Sequence, residues 1–235
     1  MPKYKSLAKD IHEKIKNGTY SIKLPTINDF VCEYQAGRNT VRSALDILVQ
    51  QGEIHKVQGS GYYINKNVNS EKKTLNISLK RGLTGSFPGQ QIKSKVLELS
   101  ILSSDEKLSA RFNCSVGTPL YFVRRLRFID DIPIGIENAY YNKRFVIYLN
   151  EEIASRSIFY FIRDELMLKI GFSDEFVSAK CLDKNECALL NLDEGQPGLI
   201  INEINYLKSG DIFNVSNTIY NYQELDLYFS IQNLN

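Results

Sequence analysis

Three amphipathic stripes followed at once by a glycine-bracketed hairpin fill the first 64 residues of this 235-residue chain, and that order limits the fold more than any other feature. Leu7, Ile11 and Ile15 recur every four positions between Tyr4 and Lys16, which lays them along one face of a helix that Gly18 can stop. Thr26 and Asp29 have the spacing of a capping box, Pro25 disfavours an earlier helical start, and Ile27, Phe30 and Val31 supply a buried face through Tyr34. After the Ala36-Gly37 turn, Val41, Ala44, Leu45 and Leu48 predict a third helix, expected to be the longest, ending in a left-handed residue at Gly52. Ile54 to Val57 and Tyr62 to Ile64 are β-prone segments around Gln58-Gly59-Ser60-Gly61, whose glycines permit positive φ in a tight hairpin, the wing of a winged helix-turn-helix.

Beyond this unit, Asn65 to Thr74 is polar and charged with a single Val and has little to bury. The expected organisation is therefore a first domain over residues 1–66, a linker over 67–75 and a second domain over 76–235. In the second domain, strand-like runs at Lys95 to Leu102, Leu120 to Ile129, Ile132 to Tyr141, Phe176 to Leu182, Leu199 to Lys208 and Ile212 to Tyr222 alternate with helical candidates. Those helices are Ser104 to Phe112, Ser155 to Lys169 and Lys184 to Leu190. Adjacent strands with few helices between them predict an α+β class with a mainly antiparallel sheet.

A chain with 43% apolar and 24% charged residues has material for two cores. Its charge is divided between them: residues 1 to 73 carry 12 Lys and Arg against 7 Asp and Glu, while the remainder carries 17 against 20. A basic front domain suits a polyanion, although five excess charges taken alone are more often plain solvated surface. Cys32, Cys114, Cys181 and Cys187 form no CxxC pair and no cysteine-histidine cluster, so neither a metal nor a cofactor is implied. The opening MPKYKSLAKDIHEKIKNG lacks the apolar segment of a signal peptide, and no run approaches the roughly 18 apolar residues of a membrane helix. A cytoplasmic protein with no membrane partner and with reduced thiols is expected.

The third helix carries Arg38, Asn39, Arg42 and Ser43 opposite its apolar stripe, side chains able to bond base edges or phosphates in a major groove. An arginine fork can grip guanine O6 and N7 together, Thr26 and Thr40 suit phosphates, and Lys56 and Gln58 can set the wing against a neighbouring groove. On an isolated helix two arginines are more often solubility charges. Helix order, tight turn and glycine wing together favour DNA.

Lys23-Leu24-Pro25-Thr26, Gly37-Arg38-Asn39-Thr40-Val41-Arg42-Ser43-Ala44-Leu45, Gln51-Gly52 and Gln58-Gly59-Ser60-Gly61 follow one another as in the GntR regulators, which residues 4 to 64 resemble. The family usually has Ser where Thr26 and Gly37 stand and a charged pair at Ile27-Asn28. The resemblance implies DNA contacts from Thr26, Asn28, Arg38, Asn39, Thr40, Arg42, Ser43, Lys56, Gln58, Gly59 and Gly61. It also implies a homodimer on an inverted-repeat operator in double-stranded DNA, in accord with the expectation that a two-fold protein reads a palindrome.

In the run Leu120 to Ile129, Arg125 and Arg127 share a face. A three-residue loop, Asp130-Asp131-Ile132, would pair Phe128 with Ile134, Leu126 with Ile136 and Arg125 with Glu137, whereas a two-residue loop would set Ile134 and Ile136 beside the arginines. The apolar match favours the former. The resulting Arg125, Arg127, Glu137 cluster suits an anion with a hydroxyl-bearing or amino-bearing remainder, and is equally a cross-strand ion pair.

From Ser86-Phe87 through Arg125-Leu126-Arg127 and Glu137 to Ser157-Ile158-Phe159 and the closing Tyr220 to Phe229 segment, the chain resembles the UTRA domain of one GntR branch, a chorismate-lyase-like fold. That resemblance implies a small-molecule effector, commonly a sugar phosphate, whose anionic end is held by Ser86, Arg125, Arg127 and Ser157, with Phe87 beside them and Glu137 and Tyr220 on its remainder. Phe159 stands where relatives often carry Tyr, and Asn214 where many carry Glu. An enzyme with a chorismate-lyase-like pocket is the competing class, but the only histidines, His12 and His55, lie in the front domain, and neither GxxxxGK[ST] nor GxSxG occurs. A DNA-binding protein whose second domain only dimerises is a further alternative.

Overall fold

The computed structural model describes residues 3–50, 52–65, 72–77, 82–87 and 89–229. The chain forms two compact units, Met1–Leu79 with Asp226–Asn235, and Lys80–Leu225.

The first unit contains α1 (Lys3–Lys16), α2 (Ile27–Tyr34) and α3 (Arg38–Gln50), then the antiparallel hairpin of β1 (Ile54–Val57) and β2 (Gly61–Ile64). The helical stripes meet in one core, where Ile11, Phe30, Val41, Leu45, Leu48 and Ile54 are fully buried. The expected capping box is formed: the Asp29 N–H donates to Thr26 Oγ1 at 3.3 Å and the Thr26 N–H donates to Asp29 Oδ2 at 2.8 Å. Gly52, just past α3, is left-handed with φ 72°, and Gly59 at the tip of the wing has φ 74°. At 14 residues α1 outlasts α3, with 13, so α3 is not the longest helix as expected.

Residues 67–71 of the expected linker lie outside the described residues. Lys73–Asn76, at its end, is a strand, β3, paired with the closing strand β10 (Leu225–Tyr228). From β10, the Tyr228 hydroxyl accepts from Asn65 Nδ2 at 3.1 Å, and the same amide donates to the Gly52 carbonyl at 2.6 Å.

The second unit opens with a short helix, α4 (Gly82–Ser86), that periodicity did not predict. Its frame is β4 (Ile92–Ser103), β5 (Pro119–Ile129), β6 (Ile132–Asn142), β7 (Ile170–Cys181), β8 (Pro197–Leu207) and β9 (Ile212–Asn221). They form one six-stranded sheet in the order β4-β5-β6-β9-β8-β7 with every neighbouring pair antiparallel. The helices α5 (Glu106–Phe112) and α8 (Lys184–Leu190) cover one face through Phe112, Leu120 and Val215, and through Leu126, Ile136, Leu190 and Ile219. On the other face, α6 (Glu151–Ser155), α7 (Ile158–Tyr160) and a π-helical turn over Phe161–Glu165 pack on Tyr121, Val123, Ala139, Tyr141 and Phe213.

Two local expectations are corrected. The β5–β6 turn has two residues, Asp130 and Asp131, both left-handed (φ 50° and 67°), with Ile129 opposite Ile132. A bulge then restores the register predicted for the longer loop: Phe128 faces Pro133, Ile134 is passed over, and Arg127 faces Gly135, Leu126 Ile136 and Arg125 Glu137. Ser155 to Lys169 is not one helix. Arg125 Nη1 takes the carbonyl oxygens of Ala154 (2.8 Å) and Arg156 (3.0 Å) out of helical use, and Ser157 caps a new start by accepting from the Tyr160 N–H at 3.2 Å.

Candidate functional site

In the first unit a concave surface opens between the start of α2, the exposed side of α3 and the wing, and Thr26, Asn28, Arg38, Arg42, Lys56, Gly59 and Gly61 line it. Leu24 and Tyr62 form its apolar floor, each at most 5% exposed. The helix places Arg38 and Arg42 one turn apart because its opposite stripe, Val41, Ala44, Leu45 and Leu48, is locked into the core. Asn39 and Ser43 are exposed further round α3, Thr40 is half-buried, and Gln58 is exposed at the wing; none of these four lines the concavity. The Thr26 hydroxyl is occupied by the cap, donating to Asp29 Oδ2 at 2.7 Å. Lys23 also lines this surface, its Nζ 5.3 Å from the Tyr63 ring centre, and was missed because it sits on no predicted element.

In the second unit a pocket lies on the sheet face that carries α7. Arg125 and Arg127 project from β5, Glu137 from β6, Ser216, Thr218 and Tyr220 from β9, Glu203 from β8, Ser157 and Phe159 from the α7 segment, and Thr84 from α4. Alternation along each strand produces this grouping, since Arg125, Glu137 and Thr218 stand in one cross-strand row and Arg127, Gly135 and Tyr220 in the next. At Gly135 a side chain would be crowded, with the Ile219 carbonyl 3.1 Å and Tyr220 Cδ1 3.2 Å from a Cβ.

The charges in the pocket are tightly organised. Arg125 Nη2 donates to both Glu137 oxygens, at 2.8 and 2.7 Å, and Arg127 Nη1 donates to Oε2 at 2.6 Å. All three side chains are nearly buried, with exposures of 3%, 11% and 12% for Arg125, Arg127 and Glu137. Burial pushes the Glu137 carboxyl up, but the Arg125 and Arg127 charges and their hydrogen bonds outweigh it and hold it near pKa 2. Burial and the Arg125 charge pull the Arg127 guanidinium below its ordinary value, and burial raises the Tyr220 phenol. Arg125 thus ties the α6–α7 connection to the sheet and orients Glu137, while Arg127 donates from Nη1 to Glu137 and, among the described residues, its buried Nε–H meets no acceptor.

Three predicted residues are elsewhere. Ser86 donates to the Gly82 carbonyl at 3.0 Å, Phe87 is buried, and neither lines the pocket. Asn214 is 1% exposed and spent on Asn205 (2.7 Å) and the Tyr140 carbonyl (2.9 Å). Four lining residues with polar side chains were missed: Thr84, Glu203, Ser216 and Thr218. The alternation Ser216, Thr218, Tyr220 was a usable signal; Glu203 needed the strand order, which places β8 beside β9.

Among the described residues no helix is long and apolar enough to cross a membrane, and no group of three His, Cys, Asp or Glu side chains is arranged to hold a metal ion. Residues 3–64 match the family model for bacterial regulatory proteins of the gntR family, and residues 88–226 match the UTRA domain model. The chain is 33% identical over 226 residues to the HTH-type transcriptional regulator YydK of Bacillus subtilis, covering 95% of each. The crystal structure of YydK superposes with a TM-score of 0.76 over the whole of both chains. From the same organism, the regulator GmuR is 27% identical over 92% of each chain, and the repressor NagR is 25% identical over 94% of this chain and 90% of its own. With a winged helix presenting arginines and a sheet domain holding a polar pocket, the chain belongs to the GntR family, in the branch that carries a UTRA domain, and is a DNA-binding transcription regulator rather than an enzyme.

Proposed function

We propose that this regulator is a cytoplasmic, homodimeric repressor of an inverted-repeat operator, released or retained by a small anionic metabolite of the sugar-phosphate kind. The observation that carries the reading is Arg127: a nearly buried guanidinium facing the pocket, one carboxylate away from a second guanidinium, with a buried Nε–H that no described residue accepts. An anion there would meet a planar, charge-assisted donor, and Ser157 beside it offers a hydroxyl. Thr84, Ser216, Thr218 and Tyr220 suit the hydroxyls of a sugar. The repressor half of the reading is supported by NagR, a repressor by name, and by a more distant relative in Escherichia coli named the mannosyl-D-glycerate transport/metabolism system repressor.

On the DNA side, Arg38 and Arg42 read base edges while Thr26, Asn28 and Lys56 set register against the backbone, with Asn39, Thr40, Ser43 and Gln58 at the margin of the contact. Control requires little energy: tenfold weaker operator binding needs about 1.4 kcal/mol of differential effector affinity between two states. The test is titration of the full-length protein into its own upstream DNA at fixed salt, with and without a panel of sugar phosphates. Specific binding altered by one compound is the expected result. Specific binding indifferent to every anion in the panel would contradict metabolite control and favour a second domain that only dimerises.

A further inference from the structure

We infer that Glu203 is a specificity-determining residue of the pocket, reading hydrogen-bond donors, hydroxyl or ammonium, at the end of the effector remote from Arg127. The inference rests on the effector-pocket reading above.

Its place follows from register. Arg127 shares a row with Gly135 and Tyr220; the next row holds Arg125, Glu137 and Thr218; the row after that holds Val123, Ala139, Ser216 and Glu203. Glu203 is therefore two rows and three strands from Arg127, at the opposite corner of the same lined surface. Even from Glu137, two strands and one row away, ordinary sheet spacings put its Cα about 12 Å distant. A ligand that reaches both corners lies across Thr218 and Ser216.

The carboxylate is held from behind. Asn205 Nδ2 donates to Glu203 Oε2 at 3.2 Å and Ser216 Oγ lies 3.4 Å from the same oxygen. Asn205 is fully buried and is itself fixed by Asn214, which is anchored to the Tyr140 carbonyl. Asn214 thus acts as a backing residue for Glu203 and not as a ligand contact.

A carboxylate only accepts hydrogen bonds, so it favours a donor and repels a second anion. Glu137 and Glu203 equal in number the two guanidinium groups of the lining, which matches a ligand anionic at one end and donating at the other, and disfavours one that is anionic at both.

The test is calorimetric titration of the full-length protein with three probes: a hexose 6-phosphate, the corresponding 2-amino-2-deoxyhexose 6-phosphate, and inorganic phosphate. Glu203→Ala is expected to weaken at least one sugar probe about tenfold or more while leaving inorganic phosphate within about twofold. Glu203→Gln separates the two donor chemistries, because an ammonium ligand loses its counter-charge as fully as in Glu203→Ala, whereas a hydroxyl ligand keeps an amide oxygen. Equal weakening of all three probes would mark Glu203 as merely structural, and unchanged sugar binding would exclude contact; either result overturns the inference. If none of the probes binds the wild-type protein, the anionic-effector reading itself fails, and this inference with it.

Discussion

The arginines of the two units are used in opposite ways. Arg38 and Arg42 stand exposed on a helix whose other side forms the core, so their forks are available to whatever enters the concavity. Arg125 is buried and committed before any ligand arrives, giving one nitrogen to two backbone carbonyls and the other to both oxygens of Glu137. Surface arginines can serve recognition at almost no cost to folding, whereas a buried arginine must first be neutralised and then serves recognition through what it positions.

The sharpest way to break this contrast is at Glu137. Glu137→Ala leaves two nearly buried guanidinium groups without their carboxylate and should cost about 3–5 kcal/mol in urea denaturation of the full chain. A loss below about 1 kcal/mol would mean that the buried cluster is far better hydrated than its burial implies. Because the folded Glu137 pKa, near 2, lies below the ordinary value of 4.5, its stabilisation is present above the ordinary value and is lost as pH falls from there toward 2. Glu137→Gln should flatten that acid limb in thermal melts.

Arg42→Ala is the counterpart in the other unit. It should weaken operator binding by roughly 1 to 3 kcal/mol in mobility-shift titrations at fixed salt, while folding stability stays within about 0.5 kcal/mol. An equally large loss of stability would place Arg42 in the structure of the unit rather than on its working face.

Smaller still is the cap. Thr26→Ala removes the acceptor for the Asp29 N–H and should cost about 1 kcal/mol of stability, with Thr26→Ser largely restoring it. If Thr26→Ser restored stability but not operator binding, the threonine itself would be part of the DNA contact.

The smallest effect runs in the opposite pH direction. His12 Nδ1 lies 2.7 Å from Glu53 Oε2, and this hydrogen bond, opposed by burial, raises the imidazole pKa. A raised folded pKa gives stability that is fully present below the ordinary value of 6.5 and is lost as pH rises through the folded one. The front unit should therefore weaken slightly toward alkaline pH, where the Glu137 cluster does not, and His12→Gln should remove that slope in hydrogen-exchange measurements on α1.

The two units also differ in how far their residues disclose them. In the front unit the determinants are local, namely the i, i+4 stripes, the Thr26–Asp29 cap and the glycines at 52 and 59, so its elements can be read in order. In the sheet unit, alternation locates the strands and pairs Arg125 with Glu137, but the decisive departures come from a distance. The break after Ser155 is enforced by Arg125, which reaches it from β5 on the same face of the sheet, and the two-residue turn is reconciled with its register by passing over Ile134. Glu203 enters the pocket through the adjacency of β8 and β9, which no local pattern encodes. Ser86 and Asn214, expected at the pocket, are satisfied elsewhere, Ser86 by the Gly82 carbonyl of its own helix and Asn214 by Asn205 and the Tyr140 carbonyl.

The central claim, a DNA-binding regulator governed by an anion at Arg127, is tested most directly by the change in operator affinity that the sugar phosphate most active on the wild type produces in wild-type protein and in Arg127→Ala. The account predicts that Arg127→Ala binds the operator as tightly as the wild type and no longer responds to the compound. A variant that responds at the same concentration would contradict it.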